Sequence, residues 1–93
     1  MNSRSHRYRV ELAPAARRQL RKLDRQVVRR ALIELERLQA DPRPVGCRAM
    51  VGQNNRWRIR VDGAGDYRIV YEVHDDQLLV LVVTVAHRRE VYR

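Results

Sequence analysis

Between Tyr8 and Leu12 the chain alternates, with Tyr8, Val10 and Leu12 apolar and Arg9 and Glu11 polar, the period of a strand with one wet face. Pro14 then suits the first turn of a helix. Ala13, Ala16, Leu20 and Leu23 recur at helical spacing, opposite Arg17, Arg18, Arg21, Lys22 and Arg25. Asp24 stands where a second helix would take its N-cap. That helix carries the apolar stripe Val27, Val28, Ala31, Leu32, Leu35 and Leu38, and Asp41-Pro42 stops it. The two helices form a short hairpin.

From Pro42 to Asn55 the pattern is irregular, with Pro44, Gly46, Gly52 and the Gln53-Asn54-Asn55 turn signal around a short apolar stretch at Ala49 to Val51. Strands follow. Arg56 to Val61 alternates cation with apolar residue, Asp62-Gly63-Ala64-Gly65 is turn chemistry, and Tyr67 to Val73 is the next strand. After the turn at His74 to Gln77, the run Leu78 to Ala86 is almost uniformly aliphatic, which predicts a central strand covered on both faces. The expected architecture is one α+β domain over residues 1–93, of order β-α-α-β-β-β-β. A small, twisted, antiparallel-rich sheet packs the N-terminal helix hairpin on one face, because each helix has one apolar stripe to bury.

Composition changes this picture in one respect. Twenty cations against eleven carboxylates leave a net charge of +9, and Lys22 is the only lysine among those cations. Such a surplus favours a polyanionic partner, and arginine adds a planar fork that grips phosphate oxygens in pairs. Cys47 is the only cysteine, so no internal disulfide can form and a reducing cytoplasm is expected. The sequence offers neither a signal peptide nor a stretch of eighteen apolar residues, so no membrane partner is expected.

Placement sharpens the charge. On the strand from Arg56 to Val61, side chains alternate between faces. If Trp57, Ile59 and Val61 meet the helices, Arg56, Arg58 and Arg60 stand together on the other face. Directing Tyr67, Ile69 and Tyr71 toward the helices sets Arg68 beside them, with Glu72 the nearby carboxylate. His87, Arg88 and Tyr92 follow the last strand and are expected to fold back over the sheet end near the same face, adding an imidazole, a cation and a phenol. His6 and His74 read as surface residues. No HExxH, P-loop, GxSxG or Cys-His metal spacing occurs, so neither a metal nor a cofactor is expected.

These features resemble the RelE branch of the RelE/ParE toxin superfamily of bacterial type II toxin-antitoxin systems. The residues that carry the resemblance are Arg58-Ile59-Arg60, the segment Gly65 to Val73, and the closing His87-Arg88 and Glu90-Val91-Tyr92. It implies a ribosome-dependent, metal-independent endoribonuclease that cuts mRNA in the A site of the 70S ribosome through attack by the RNA's own 2′-OH. It also implies a cognate antitoxin, acidic to match this charge. Carried over by position, Arg58 and Arg60 look like the basic pair of the third strand, Arg68 like the phosphate-binding arginine, Arg88 like the late cation, and Tyr92 like the terminal tyrosine. His87 or Tyr92 would move the proton. Some relatives carry a C-terminal helix, which this sequence is not expected to have.

Two other readings stay open. A ParE-type protein has the same fold but inhibits DNA gyrase by binding it, without nuclease chemistry. An inactive relative would be a basic RNA-binding module.

Overall fold

The structure, a computed structural model, describes residues 7–91. Strand β1 (Arg9–Leu12) leads into helices α1 (Pro14–Lys22) and α2 (Arg25–Ala40). They are followed by β2 (Arg48–Ala49), β3 (Arg56–Arg60), β4 (Tyr67–His74), β5 (Leu79–His87) and a single helical turn, α3 (Arg88–Val91). The five strands form one sheet of order β1-β5-β4-β3-β2. Every pairing is antiparallel except β1 with β5, which is parallel.

The helices cover one face. Ala16 of α1 and Ala31, Leu35 and Leu38 of α2 pack on Ile59, Val61, Ile69, Tyr71, Val73, Val80, Val82 and Val85 of the sheet. In β3 and β4 this is the alternate set of residues that strand periodicity assigns to one side. Pro14 opens α1 as expected, and Arg21 and Lys22 lie in its last turn, where cations favour the negative end of the helix dipole. Asp24 occupies the N-cap position of α2, but its side chain makes no capping bond.

The apolar stripe assigned to α2 needs one exchange. Leu32 is exposed, while Glu34 is buried at 2%. Burying a carboxylate requires partners. Glu34 accepts a hydrogen bond from the Arg37 guanidinium at 3.0 Å and another from the Asp62 backbone N–H at 3.3 Å. The buried acid therefore ties α2 to the β3–β4 turn.

β5 is an interior strand, flanked by β1 and β4. Its pairing with β4 slips by one residue: Val70 faces Thr84, but Tyr71 faces Val82. The extra residue, Val83, is a β-bulge, and it reverses which side each later residue faces. Val80 and Val82 point to the helices before it, Val85 and His87 after it. The Val85 N–H just beyond the bulge donates to Gln19 Oε1 of α1 at 2.8 Å.

Candidate functional site

The sheet face turned away from the helices collects the arginines. In β3 and β4, Arg56 stands opposite Glu72, Arg58 opposite Val70, and Arg60 opposite Arg68. Residues directly opposite in an antiparallel pair share a face, so these side chains stand on one surface. A fifth arginine, not expected from the sequence, joins them. β2 lies in the segment read as irregular, and it pairs Arg48 with Arg58. Gly46, Arg48, Arg58, Arg60 and Arg68 line an open depression of about 340 Å³.

Charge on this face is unevenly balanced. At one end Glu72 accepts from Arg56 Nε at 3.1 Å and lies 3.0 Å from His74 Nε2. Burial alone would raise the Glu72 pKa, but hydrogen bonds from His74 and Arg56 outweigh it and hold the carboxyl below its ordinary value. At the other end, among the described residues, no carboxylate pairs with Arg48, Arg60 or Arg68. Arg68 donates only to the Tyr67 carbonyl, at 3.4 Å. Arg60 and Arg68 directly opposite each other are like charges, an arrangement that destabilises a sheet. An anion supplied from outside would relieve that repulsion.

The rim of the depression is anchored from below. Arg43 grips Asp75 with both terminal nitrogens, at 3.2 and 2.9 Å, and Tyr8 donates to the same carboxylate at 2.6 Å. The Arg43 hydrogen bond and that of Tyr8 lower the Asp75 pKa to about 2. The same guanidinium lies over the Trp57 ring, 5.3 Å from its centroid. Tyr71, fully buried, donates to the Pro42 carbonyl at 2.8 Å, and burial raises its pKa well above the usual phenol range. These contacts fix the segment from Pro42 onward. Gly46 then turns with φ +101°, a conformation that side chains other than glycine rarely adopt, and delivers Arg48 to the face.

The terminal residues fall elsewhere. His87 pairs with Tyr67 in the sheet, and their rings meet edge to face at 5.5 Å on the helix side, not on the arginine face. The bulge at Val83 is the reason. His87 caps α3: its Nδ1 accepts from the Arg89 N–H, and Glu90 accepts from the His87 N–H, both at 3.3 Å. The arrangement is like a capping box, except that the side chain takes the second helical N–H and not the third, and the His87-to-Glu90 spacing is its signal in the sequence. Arg88 is exposed at the start of α3 and does not line the depression. Its N–H donates to the Asp66 carbonyl. Tyr92 and His6 lie outside the described residues. His74, read as an isolated surface residue, belongs to the Glu72 pair.

The model of the ParE toxin of the type II toxin-antitoxin system parDE matches residues 10–92. The chain belongs to the ParE toxin family. Among solved structures it is similar to an arginine-to-alanine double mutant of the E. coli toxin RelE in the free state, with TM-score 0.78 and 27% identity over 92% of this chain and 90% of that one. It is similar to the intact E. coli RelBE toxin-antitoxin complex, with TM-score 0.75 and 26% identity over 86% of this chain and 95% of that one. For the RelBE2 toxin-antitoxin complex of Mycobacterium tuberculosis the values are 0.70 and 26%, over 88% and 99%. A comparison with curated protein sequences gives no match. This ParE-family chain is thus a RelE-like member of the RelE/ParE superfamily and a toxin of the type II toxin-antitoxin class. Among the described residues, no helix is long and apolar enough to cross a membrane.

Proposed function

We propose that this toxin is an mRNA endoribonuclease that works in the A site of the 70S ribosome without a metal. The observation that carries the reading is the gathering of Arg48, Arg58, Arg60 and Arg68 around one open depression. In the proposed reaction the 2′-oxygen attacks the adjacent phosphorus and the bond to the 5′-oxygen breaks, leaving a 2′,3′-cyclic phosphate and a 5′-OH. Negative charge builds on the phosphorane oxygens, where fixed guanidinium groups act most strongly. Arg68 binds the phosphate, Arg58 and Arg60 flank it, and Arg48 closes the fourth side.

A guanidinium stays protonated, so the arginines cannot accept the 2′-OH proton. Glu72 is committed to Arg56 and His74. His87 stands on the other side of the sheet. We assign the 2′-OH proton to Tyr92, acting as its phenolate, on the family resemblance, with the leaving 5′-oxygen taking its proton from water, and Arg88 as an outlying cation on the approach. An acidic antitoxin is the proposed partner that silences the face; likeness to toxin chains in RelBE complexes supports it.

One observation favours a second reading. The matching family model is the ParE one, and a ParE-type gyrase inhibitor would use the same cations for binding alone. Ribosome-programmed mRNA cleavage run beside a gyrase supercoiling assay separates the two. Cleavage that survives EDTA at levels leaving ribosomes intact, with supercoiling unaffected, is expected. Inhibited supercoiling without mRNA cleavage would replace the nuclease reading.

A further inference from the structure

A second concentration of charge lies at the bend of the helix hairpin. Residues 14–40 hold eight cations against three carboxylates, and Glu34, one of the three, is buried and engaged by Arg37. Only Leu23 and Asp24 separate α1 from α2, so the end of one helix and the start of the other meet there. Arg18, Arg21, Lys22, Arg25 and Arg29 are all exposed around that bend. Among the described residues, none of these five side chains takes part in a hydrogen bond or ion pair. Beside them is an open depression of about 340 Å³ lined by Gln26, Arg29, Arg30 and Ile33. Its Arg30 wall is positioned by the β3–β4 turn. A Cβ on Gly63 would stand 3.2 Å from the guanidinium carbon, so the bare backbone there makes room for the arginine.

The chemistry of this surface differs from that of the sheet face. No aromatic residue occurs from Pro14 to Ala40, so there is no platform on which an unpaired base could stack, the usual grip on single strands. Exposed arginine heads without an aromatic platform instead suit the phosphates of a double helix, which is bound through its backbone and shape. The arginine row lies on the sheet face turned away from the helices and the bend lies in the helix layer, which makes them separate contacts.

We propose that the hairpin bend is a second RNA contact that takes the phosphate backbone of double-helical RNA, while the sheet face holds the strand to be cut. This rests on the ribosome-dependent reading, since a ribosome presents both kinds of RNA together. The test compares the wild-type toxin, without ribosomes, with a variant carrying Arg21→Gln, Arg25→Gln and Arg29→Gln. The three exposed positions tolerate glutamine in a helix, and a thermal melt checks that the variant folds. Anisotropy is measured with a stem-loop RNA and with a single-stranded RNA, between about 50 and 200 mM salt. The variant should bind the stem-loop about tenfold more weakly at the low end. Its slope of log K against log salt should fall by about two to three, since each lost phosphate contact removes about 0.7 to 0.9. Single-strand binding should change little.

Unchanged affinity and slope for the stem-loop would overturn the proposal. So would weakened binding of a polyglutamate peptide with the stem-loop unaffected, because the bend would then serve an acidic protein. The same two proteins assayed on ribosome-bound mRNA keep the outcomes distinct. Loss of stem-loop binding with no cleavage by wild type leaves the bend standing and removes the nuclease, while cleavage with unaltered stem-loop binding does the reverse.

Discussion

Arg56 and Arg68 stand on the same sheet face, four rows of the β3–β4 ladder apart at most, and their surroundings are opposite. Arg56 is matched by Glu72, as Arg43 is by Asp75 and Arg37 by Glu34. Each of these pairs joins elements distant in sequence or pins a buried acid. Among the described residues, Arg48, Arg60 and Arg68 converge on a depression with no carboxylate paired to them. The difference separates arginines that hold the protein together from arginines available to hold something else. A bare count of nineteen arginines could not make that distinction.

Arg68→Ala puts the largest effect on that contrast. Cleavage of ribosome-bound mRNA should fall about 10²- to 10³-fold at saturating ribosomes, the usual loss when a preorganised donor to a developing oxyanion is removed, while the melting temperature stays level or rises. Equal rates for wild type and variant would erase the distinction. On the structural side, Glu34→Ala strands the Asp62 N–H and releases Arg37. Urea unfolding should show a loss of about 1 to 3 kcal/mol; an unaltered midpoint would mean that the buried acid ties nothing down.

Arg60→Thr tests the cost of the unneutralised cluster. Removing one of two directly opposed cations should stabilise the fold by about 0.2 to 1 kcal/mol even as cleavage drops, and a lower melting temperature would show that Arg60 is a structural residue after all. The smallest effect is expected in acid. Asp75 has its pKa lowered to about 2, so its contribution is present above the ordinary carboxyl pKa and disappears only as pH falls toward 2. Fluorescence of Trp57, the sole tryptophan and the ring under Arg43, should report that loosening. A change complete by pH 4 would assign the signal to another group.

Most of the architecture was legible because its elements are strongly periodic. The helix hairpin, β3 and β4 follow from alternation and helical spacing, and with them came Arg58, Arg60 and Arg68 on a common face. Arg48 was not legible, because a strand of two residues has no period to read. His87 was assigned to the wrong side for a different reason. The run Leu79 to Ala86 is aliphatic at nearly every position, so nothing in it betrays the one-residue slip at Val83 that reverses the side chains after it. The exchange of Leu32 for Glu34 on the buried side of α2 is equally silent in sequence, since Glu34 is buried through an amide of the β3–β4 turn, 28 residues away.

The parallel pairing of β1 with β5 sets Arg9 beside Leu79 and Leu12 beside Val82, which places the first strand against the last. Contacts this far apart in sequence form late, after the local ones, and only once both partners are available. While the protein is being synthesised, β1 must wait for β5 to emerge, and so must α1, whose main packing partner is also β5. β4 likewise lacks its main partner until then. The arginine face is carried by that sheet, so it comes into being only after β5 has been made. The toxin is in this sense timed by its topology: a chain that stops short of β5 has the cations but no ordered face to gather them.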